Sequence, residues 1–464
     1  MKTALRPGSA PPTGVNRDHL RDLYTVLTAA LLVTTAAVIG TAVEHRYGTL
    51  HVSFPPLYGH WEPHLGPGTP AAFIVAVTVV AYGPLLVARL PWRALLITVY
   101  GTATAWTFSL ALVDGWQRGV ARRLTTKYEY LQVIGPVNRF QDIHAALRDF
   151  THHILIHSPG AWPAHVAGHP PGATLTFVLL DRIGLGGGAW AGVWCITVGA
   201  SAAVAVLVTV RVLCGEELAR RAAPFLALAP AAVWMGTSAD GYFAAVAAWA
   251  LAFLALAVTG HRPRSAGLAS GLLLGLTAYL SYGLTLFAVI AACVVLLGSR
   301  RLRPLPYVLA GLVVVPAAFT FAGFNWWEAY HLLVTRYFEG AGGVRPYGYW
   351  VWANLACTVL LVGPATVAGL RRAGAAPVRE VLRGLPRASV DTPGSRLAVL
   401  VFAALLALLA ADLSGMSKAE TERIWLPFAL WLLPACAFLT RPRVWLAAQA
   451  TLALLLNHLL LTGW

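Results

Sequence analysis

Long apolar runs alternate with short polar connections along nearly the whole chain. Runs at 22–43, 71–90, 94–115, 188–212, 241–260, 304–323, 350–370 and 443–462 approach the roughly 20 residues a helix needs to cross a bilayer. Shorter or interrupted runs lie at 222–237, 265–280, 283–299, 396–412 and 425–440. Backbone in lipid must satisfy its own hydrogen bonds, which leaves helices or a closed barrel, and the ten-residue alternation of barrel strands is absent. The pattern predicts an all-α, polytopic transmembrane bundle of about thirteen spans, with outer-face loops and short interfacial helices.

Composition agrees. Of 464 residues, 58% are hydrophobic and 11% charged, against about a quarter charged in soluble domains. The basic residues recur at alternate connections: Arg89/Arg93, Arg220/Arg221, Arg262/Arg264, Arg300/Arg301/Arg303, Arg371 to Arg396, and Arg441/Arg443. The positive-inside rule makes these cytoplasmic. The whole excess of +15 then falls on the inner side, and most of the acids on the outer side. The basic balance therefore reflects topology and anionic lipid headgroups, with no nucleic acid as partner. Arg118, Arg122, Arg123 and Lys127 run against this trend, in a connection that the remaining charges place outside.

The expected organisation is a cytosolic tail over 1–21, an uncleaved signal-anchor as the first span, and one transmembrane domain over 22–464. Residues 371–396 read as a plain cytosolic linker. Outer connections 44–70, 116–171, 324–349 and 412–424 hold the polar chemistry, with an amphipathic helix expected near 139–157. Localisation follows: a multi-pass plasma-membrane protein with a cytoplasmic N-terminus and an extracytoplasmic site. No internal repeat of the kind common in secondary transporters is present. Cys195, Cys214, Cys293, Cys357 and Cys436 form no CxxC pair and read as small apolar packing residues. Phosphate-binding loops, the dinucleotide fingerprint and the serine-hydrolase elbow are also absent.

Several outer residues carry candidate chemistry. Asp114 ends a span, Glu129 lies in the long loop, and Asp240 stands between two apolar runs. Each reads either as an interface carboxylate or cap, or as a functional acid. His169, in Gly168-His169-Pro170-Pro171-Gly172, sits beside a rigid turn; it serves either the turn or a phosphate or sugar hydroxyl. Lys418, Glu420, Glu422 and Arg423 crowd the mouth of the run beginning Ile424-Trp425-Leu426-Pro427. They form either a salt-bridged cap, or a grip in which the cations hold a phosphate and the acids hold sugar hydroxyls or orient the Arg fork. His144, His152, His153, His157 and His165 lack an accompanying metal motif and read as hydrated surface histidines.

The order of these features resembles the GT-C superfamily of polytopic glycosyltransferases, in particular the protein O-mannosyltransferase and lipid A aminoarabinose transferase branch. The resemblance rests on the charged outer loop, His169-Pro170-Pro171-Gly172, the basic turn Arg220-Arg221, and Asp240-Gly241-Tyr242-Phe243. Glu420-Thr421-Glu422-Arg423 ahead of a Trp/Pro-bearing span is similar to a motif of actinobacterial members, and the Ala/Arg/Gly/Pro-rich composition suits such a source. The resemblance implies an inverting transfer of a sugar, of mannose or arabinofuranose type, from a polyprenyl-phosphate donor to a glycan, lipid or protein acceptor at the bilayer surface. It implies an outer-loop carboxylate as general base, Asp114 or Glu129; Asp240 as a site-ordering acid; and Lys418, Arg423 and His169 as phosphate contacts. The family's usual acidic pair after its first span is not evident. No cofactor is implied beyond a divalent metal ion, which only some members use. The alternative reading is a polytopic transporter or lipid flippase of the cell envelope.

Overall fold

The computed structural model describes residues 14–135, 138–382 and 392–463 and is nearly all helical. Seven helical segments among these residues are long and apolar enough to cross a membrane: Arg17–Tyr47, Thr69–Arg89, Trp92–Asp114, Gly188–Cys214, Ala239–Val258, Tyr347–Ala375 and Pro393–Leu413. An eighth arises if Leu305–Phe321 and Trp326–Glu339, bent by 77°, count as one span. This is a membrane protein, but on length and hydropathy the expected count of about thirteen is not reached. The remaining apolar runs are short or broken. Tyr282–Leu297 and Leu426–Phe438 are shorter apolar stretches, and Pro224 interrupts Glu216–Ala227. Pro263–Leu280 is diluted by Arg264, serines and glycines.

Burial sorts the spans. Ala239–Val258 is alanine-rich and buried over most of its length, whereas Arg17–Tyr47 and Thr69–Arg89 expose apolar residues on nearly every face. A helix apolar all round is either interior or lipid-facing, and both kinds occur here. Small residues bring the interior helices close: a side chain at Gly199 would meet the backbone of Gly241 at 3.1 Å.

The two classes of connection separate in space. Arginines of the basic class cap helix ends: Arg396 bonds the carbonyls of Leu213 and Leu297, Arg220 those of Val87 and Leu90, and Arg221 that of Leu439. These carbonyls are the orphan acceptors of helix C-termini, where a cation is also favoured by the helix dipole. Fully buried Asp22 receives Arg371 and Arg372 in the same region. The polar connections meet elsewhere. Tyr58 N bonds Glu422 at 2.8 Å, Arg118 bonds Glu62 at 2.9 Å, Arg336 bonds the Trp162 carbonyl at 3.0 Å, and Arg345 bonds the carbonyls of Leu50 and Lys418 at 3.0 and 2.8 Å.

Three local expectations change. A two-stranded antiparallel ribbon, Gly59–Trp61 with Leu460–Thr462, adds a little strand to the all-α plan. The helix expected near 139–157 is only Ile143–Arg148, N-capped by Asp142, followed by a 3-10 turn at Phe150–His153. Asp149 divides the two by binding His152 and His153, each at 2.7 Å. Of 371–396, residues up to Leu382 continue the helical segment Tyr347–Leu382 beyond its break at Gly363, a new helix starts at Pro393, and 383–391 lie outside the described residues, as do 1–13 of the tail.

Removing one partner of a buried ion pair leaves the other charge uncompensated. Asp22→Asn should therefore destabilise the protein by about 3–5 kcal/mol, whereas Glu62→Gln, in a half-exposed pair, should cost about 1 kcal/mol or less. Equilibrium unfolding of the two variants in detergent checks the difference.

Candidate functional site

Four stretches of the chain converge on one small cleft. Arg123, Leu124, Glu129, Tyr130 and His165 of the long loop line it, with Thr237, Ser238 and Ala239 at the start of the central helix, Arg423, and Gly463.

Ser238 starts the Ala239–Val258 helix by capping the amide of Asp240, a standard N-cap role for serine. Its hydroxyl also bonds Asp240 Oδ2 at 3.1 Å, and that same oxygen accepts from Arg423 Nη1 at 2.5 Å. Arg423 Nη2 reaches Glu420 Oε2 at 3.3 Å. Glu420 itself sits in the left-handed region, φ 61°, where a non-glycine residue is strained. The pair Asp240–Arg423 is buried on both sides and joins two segments far apart in sequence.

Glu129 is buried in the long loop, and its Oε1 meets His165 Nδ1 at 2.8 Å. Its Oε2 has no hydrogen-bond partner among the described residues. His165 is thus a half-buried partner of a carboxylate, not a hydrated surface histidine. No signal in the sequence separates it from His152 and His153, which pair with exposed Asp149.

His169 lies behind this pair. Its Nδ1 is 2.8 Å from the His165 carbonyl and 3.0 Å from the Tyr130 hydroxyl. A carbonyl only accepts, so Nδ1 carries the proton. Burial pulls the pKa of His169 down to about 4, so the ring is neutral at physiological pH and its one N–H is already bonded. It is not set to donate to a phosphate. The His-Pro-Pro-Gly turn acts structurally: Pro171 opens the Pro171–Arg182 helix, and a side chain at Gly172 would strike the Tyr279 carbonyl.

The other nominated residues lie outside the cleft lining. Asp114 Oδ1 bonds His64 Nε2 at 2.8 Å and Oδ2 bonds Arg123 Nη2 at 2.7 Å, so both oxygens are engaged. Lys418 Nζ donates to the Gly342 carbonyl at 2.8 Å and lies over the Phe338 ring, away from the Arg423 pair. Glu422 is fully buried; Oε1 accepts from Tyr58 N, tying the 44–70 connection down, and Oε2 has no partner among the described residues. Among the described residues, no three His, Cys, Asp or Glu side chains come together as a metal site. Arg123 lines the cleft although no motif pointed to it. Its only sequence signal is its place against the charge trend.

Burial pushes the Glu422 pKa up from 4.5 to about 7. Between these values the unfolded chain is ionised there while the folded chain keeps its proton, so stability falls as pH rises through the window. The loss totals on the order of 3 kcal/mol. In Glu422→Gln that part of the pH dependence should disappear, as melting curves of both proteins from pH 4.5 to 7.5 would show.

No family model matches the chain, and no curated protein matches it. Two solved structures of an oligosaccharyltransferase from Archaeoglobus fulgidus are similar to it. The crystal structure tethered with an acceptor peptide containing the NVT sequon is 15% identical, with a TM-score of 0.42 over 74% of this chain and 49% of that one. The complex with Zn and sulfate is 14% identical, with a TM-score of 0.36 over 92% of this chain and 53% of that one. The chain spans about half the length of these structures.

Proposed function

We propose that the protein is a GT-C type glycosyltransferase of the plasma membrane. It moves a sugar, of mannose or arabinofuranose type, from a polyprenyl-phosphate donor to a hydroxyl of a glycan, lipid or protein on the extracytoplasmic face. The observation that carries this reading is Glu129, a buried carboxylate in a cleft at the polar side of an apolar bundle. One of its oxygens is fixed by His165 and the other has no hydrogen-bond partner among the described residues. The order of motifs that resembles the GT-C superfamily supports it as well.

Of the two nominated bases, Glu129 suits the role better, because both oxygens of Asp114 are already held. In the reaction, Glu129 takes the proton of the acceptor hydroxyl as that oxygen attacks the anomeric carbon. The bond from that carbon to the phosphate oxygen breaks, its electron pair leaves with the polyprenyl phosphate, and the sugar centre inverts. His165 positions the base through Nδ1. Arg423, held by Asp240 and Glu420, orders the wall contributed by the central helix. Fixed groups of this kind lower the reorganisation needed when charge develops. A transporter or flippase would place ionisable groups at the bilayer midplane; here the ion pairs of Asp114, Glu129 and Asp240 gather among the polar connections.

Membranes carrying the protein should transfer radiolabelled sugar from a polyprenyl-phosphate donor. Glu129→Gln should slow that transfer by about 10²–10⁴-fold, the usual worth of a general base, without unfolding the protein. His165→Ala should reduce it by less. Failure to use any such donor, together with solute flux in proteoliposomes, would reverse the assignment in favour of a transporter.

A further inference from the structure

Among the basic and acidic residues lining the cleft, Arg123 alone has no role in the proposed transfer. Its side chain is nine-tenths buried. Nη2 donates to Asp114 Oδ2 at 2.7 Å, Nη1 donates to the Thr462 carbonyl at 2.7 Å, and Nε–H has no acceptor among the described residues. A buried guanidinium with a donor left over is costly by itself, and an anion that accepts from it recovers the loss. The planar fork also matches phosphate oxygens better than an ammonium does.

The neighbouring cations are held by other groups. Arg423 faces two carboxylates, those of Asp240 and Glu420. Lys418 is held at the Gly342 carbonyl, and His169 is neutral. Arg123 shares its single carboxylate: Asp114 also serves His64 at 2.8 Å and Arg118 at 3.6 Å. Arg118 has a nearer carboxylate in Glu62 at 2.9 Å, so Asp114 chiefly serves His64 and Arg123. Arg123 also lies in a connection where the charge trend of the chain disfavours cations, so its placement there calls for a local reason.

We infer that Arg123 binds the phosphate-ester oxyanion of the substrate and receives the charge that develops as the polyprenyl phosphate departs. Asp114 and the Thr462 carbonyl are positioning groups that hold its fork. This rests on the glycosyl-transfer reading above and assigns Asp114 a place behind the phosphate contact instead of the role of base. The strand Leu460–Thr462 becomes part of the site, since it supplies that carbonyl and leads into Gly463 in the cleft wall.

Binding of farnesyl phosphate, farnesol and inorganic phosphate to the purified full chain in detergent tests the assignment. The wild type should bind farnesyl phosphate at least about tenfold more tightly than farnesol, the scale of a charge-assisted contact. Arg123→Gln should remove that preference, with Arg123→Lys and Asp114→Asn in between and melting curves confirming that each is folded. Arg139→Gln, which removes a loop arginine stacked on Trp162 outside the cleft, should leave the preference unchanged. A folded Arg123→Gln that binds farnesyl phosphate like the wild type overturns the inference; if that variant does not fold, an unchanged preference in both Arg123→Lys and Asp114→Asn does so. Inorganic phosphate binding as tightly as farnesyl phosphate would mark a site for free phosphate and overturn the lipid-phosphate assignment. A wild type with no preference for phosphate over alcohol overturns this inference and the donor reading together. Glycosyl transfer lost in Glu129→Gln but intact in Arg123→Gln overturns this inference alone.

Discussion

The ion pair between Asp240 and Arg423 is the contact on which the candidate site depends. It joins the first turn of Ala239–Val258, the most buried of the long apolar helices among the described residues, to the short 421–424 helix that follows the last large polar connection. A buried pair contributes little net stability, because desolvation offsets the attraction, but each partner without the other is strongly unfavourable. The consequence is geometric. Wherever Asp240 goes, Arg423 must follow, and the wall of the cleft is set by that requirement. The long loop then closes the other side through Glu129–His165 and Arg123–Asp114.

A second constraint acts on the whole chain. Lipid offers no partner to a charge or a free backbone group, so both are driven to the ends of the helices. At one end arginines cover the carbonyls of Leu213, Leu297, Leu439, Val87 and Leu90. At the other, charged side chains bond backbone groups of connections distant in sequence: Glu422 accepts from the Tyr58 amide, and Arg345 donates to the carbonyls of Leu50 and Lys418. A polar, partly desolvated cleft beside a bilayer is a direct result of gathering so many groups in one place. Within it, Glu129 Oε2 and Arg123 Nε have no hydrogen-bond partner among the described residues.

Legibility followed range. The long apolar helices and the polar connections were readable because hydrophobic pattern is local. Asp240, Glu129 and Arg423 were nominated from residue type and position; Glu129 and Arg423 line the cleft, and Asp240 bonds Arg423 from behind its wall. Lys418 and His169 were nominated on the same grounds, yet their donors are held by the carbonyls of Gly342 and His165. Asp114 was read as a base, though its oxygens are held by His64 and Arg123. His165 and Arg123 were missed because their partners lie on other turns of an irregular loop, where neither periodicity nor spacing carries information. The count of spans suffered similarly, since prolines and glycines break segments whose composition alone reads as continuous.

By itself, then, the sequence determined a membrane-embedded helical chain, basic on one class of connection and acidic on the other, because burial of apolar surface and exclusion of charge from lipid depend on local composition. Only the tertiary structure decided which of the many polar residues face one another, which donors are left unmatched, and that the strand Leu460–Thr462 closes on the loop carrying Arg123. The reason is physical: desolvation and pairing are properties of a place in space, and the partners that define the cleft come from segments hundreds of residues apart.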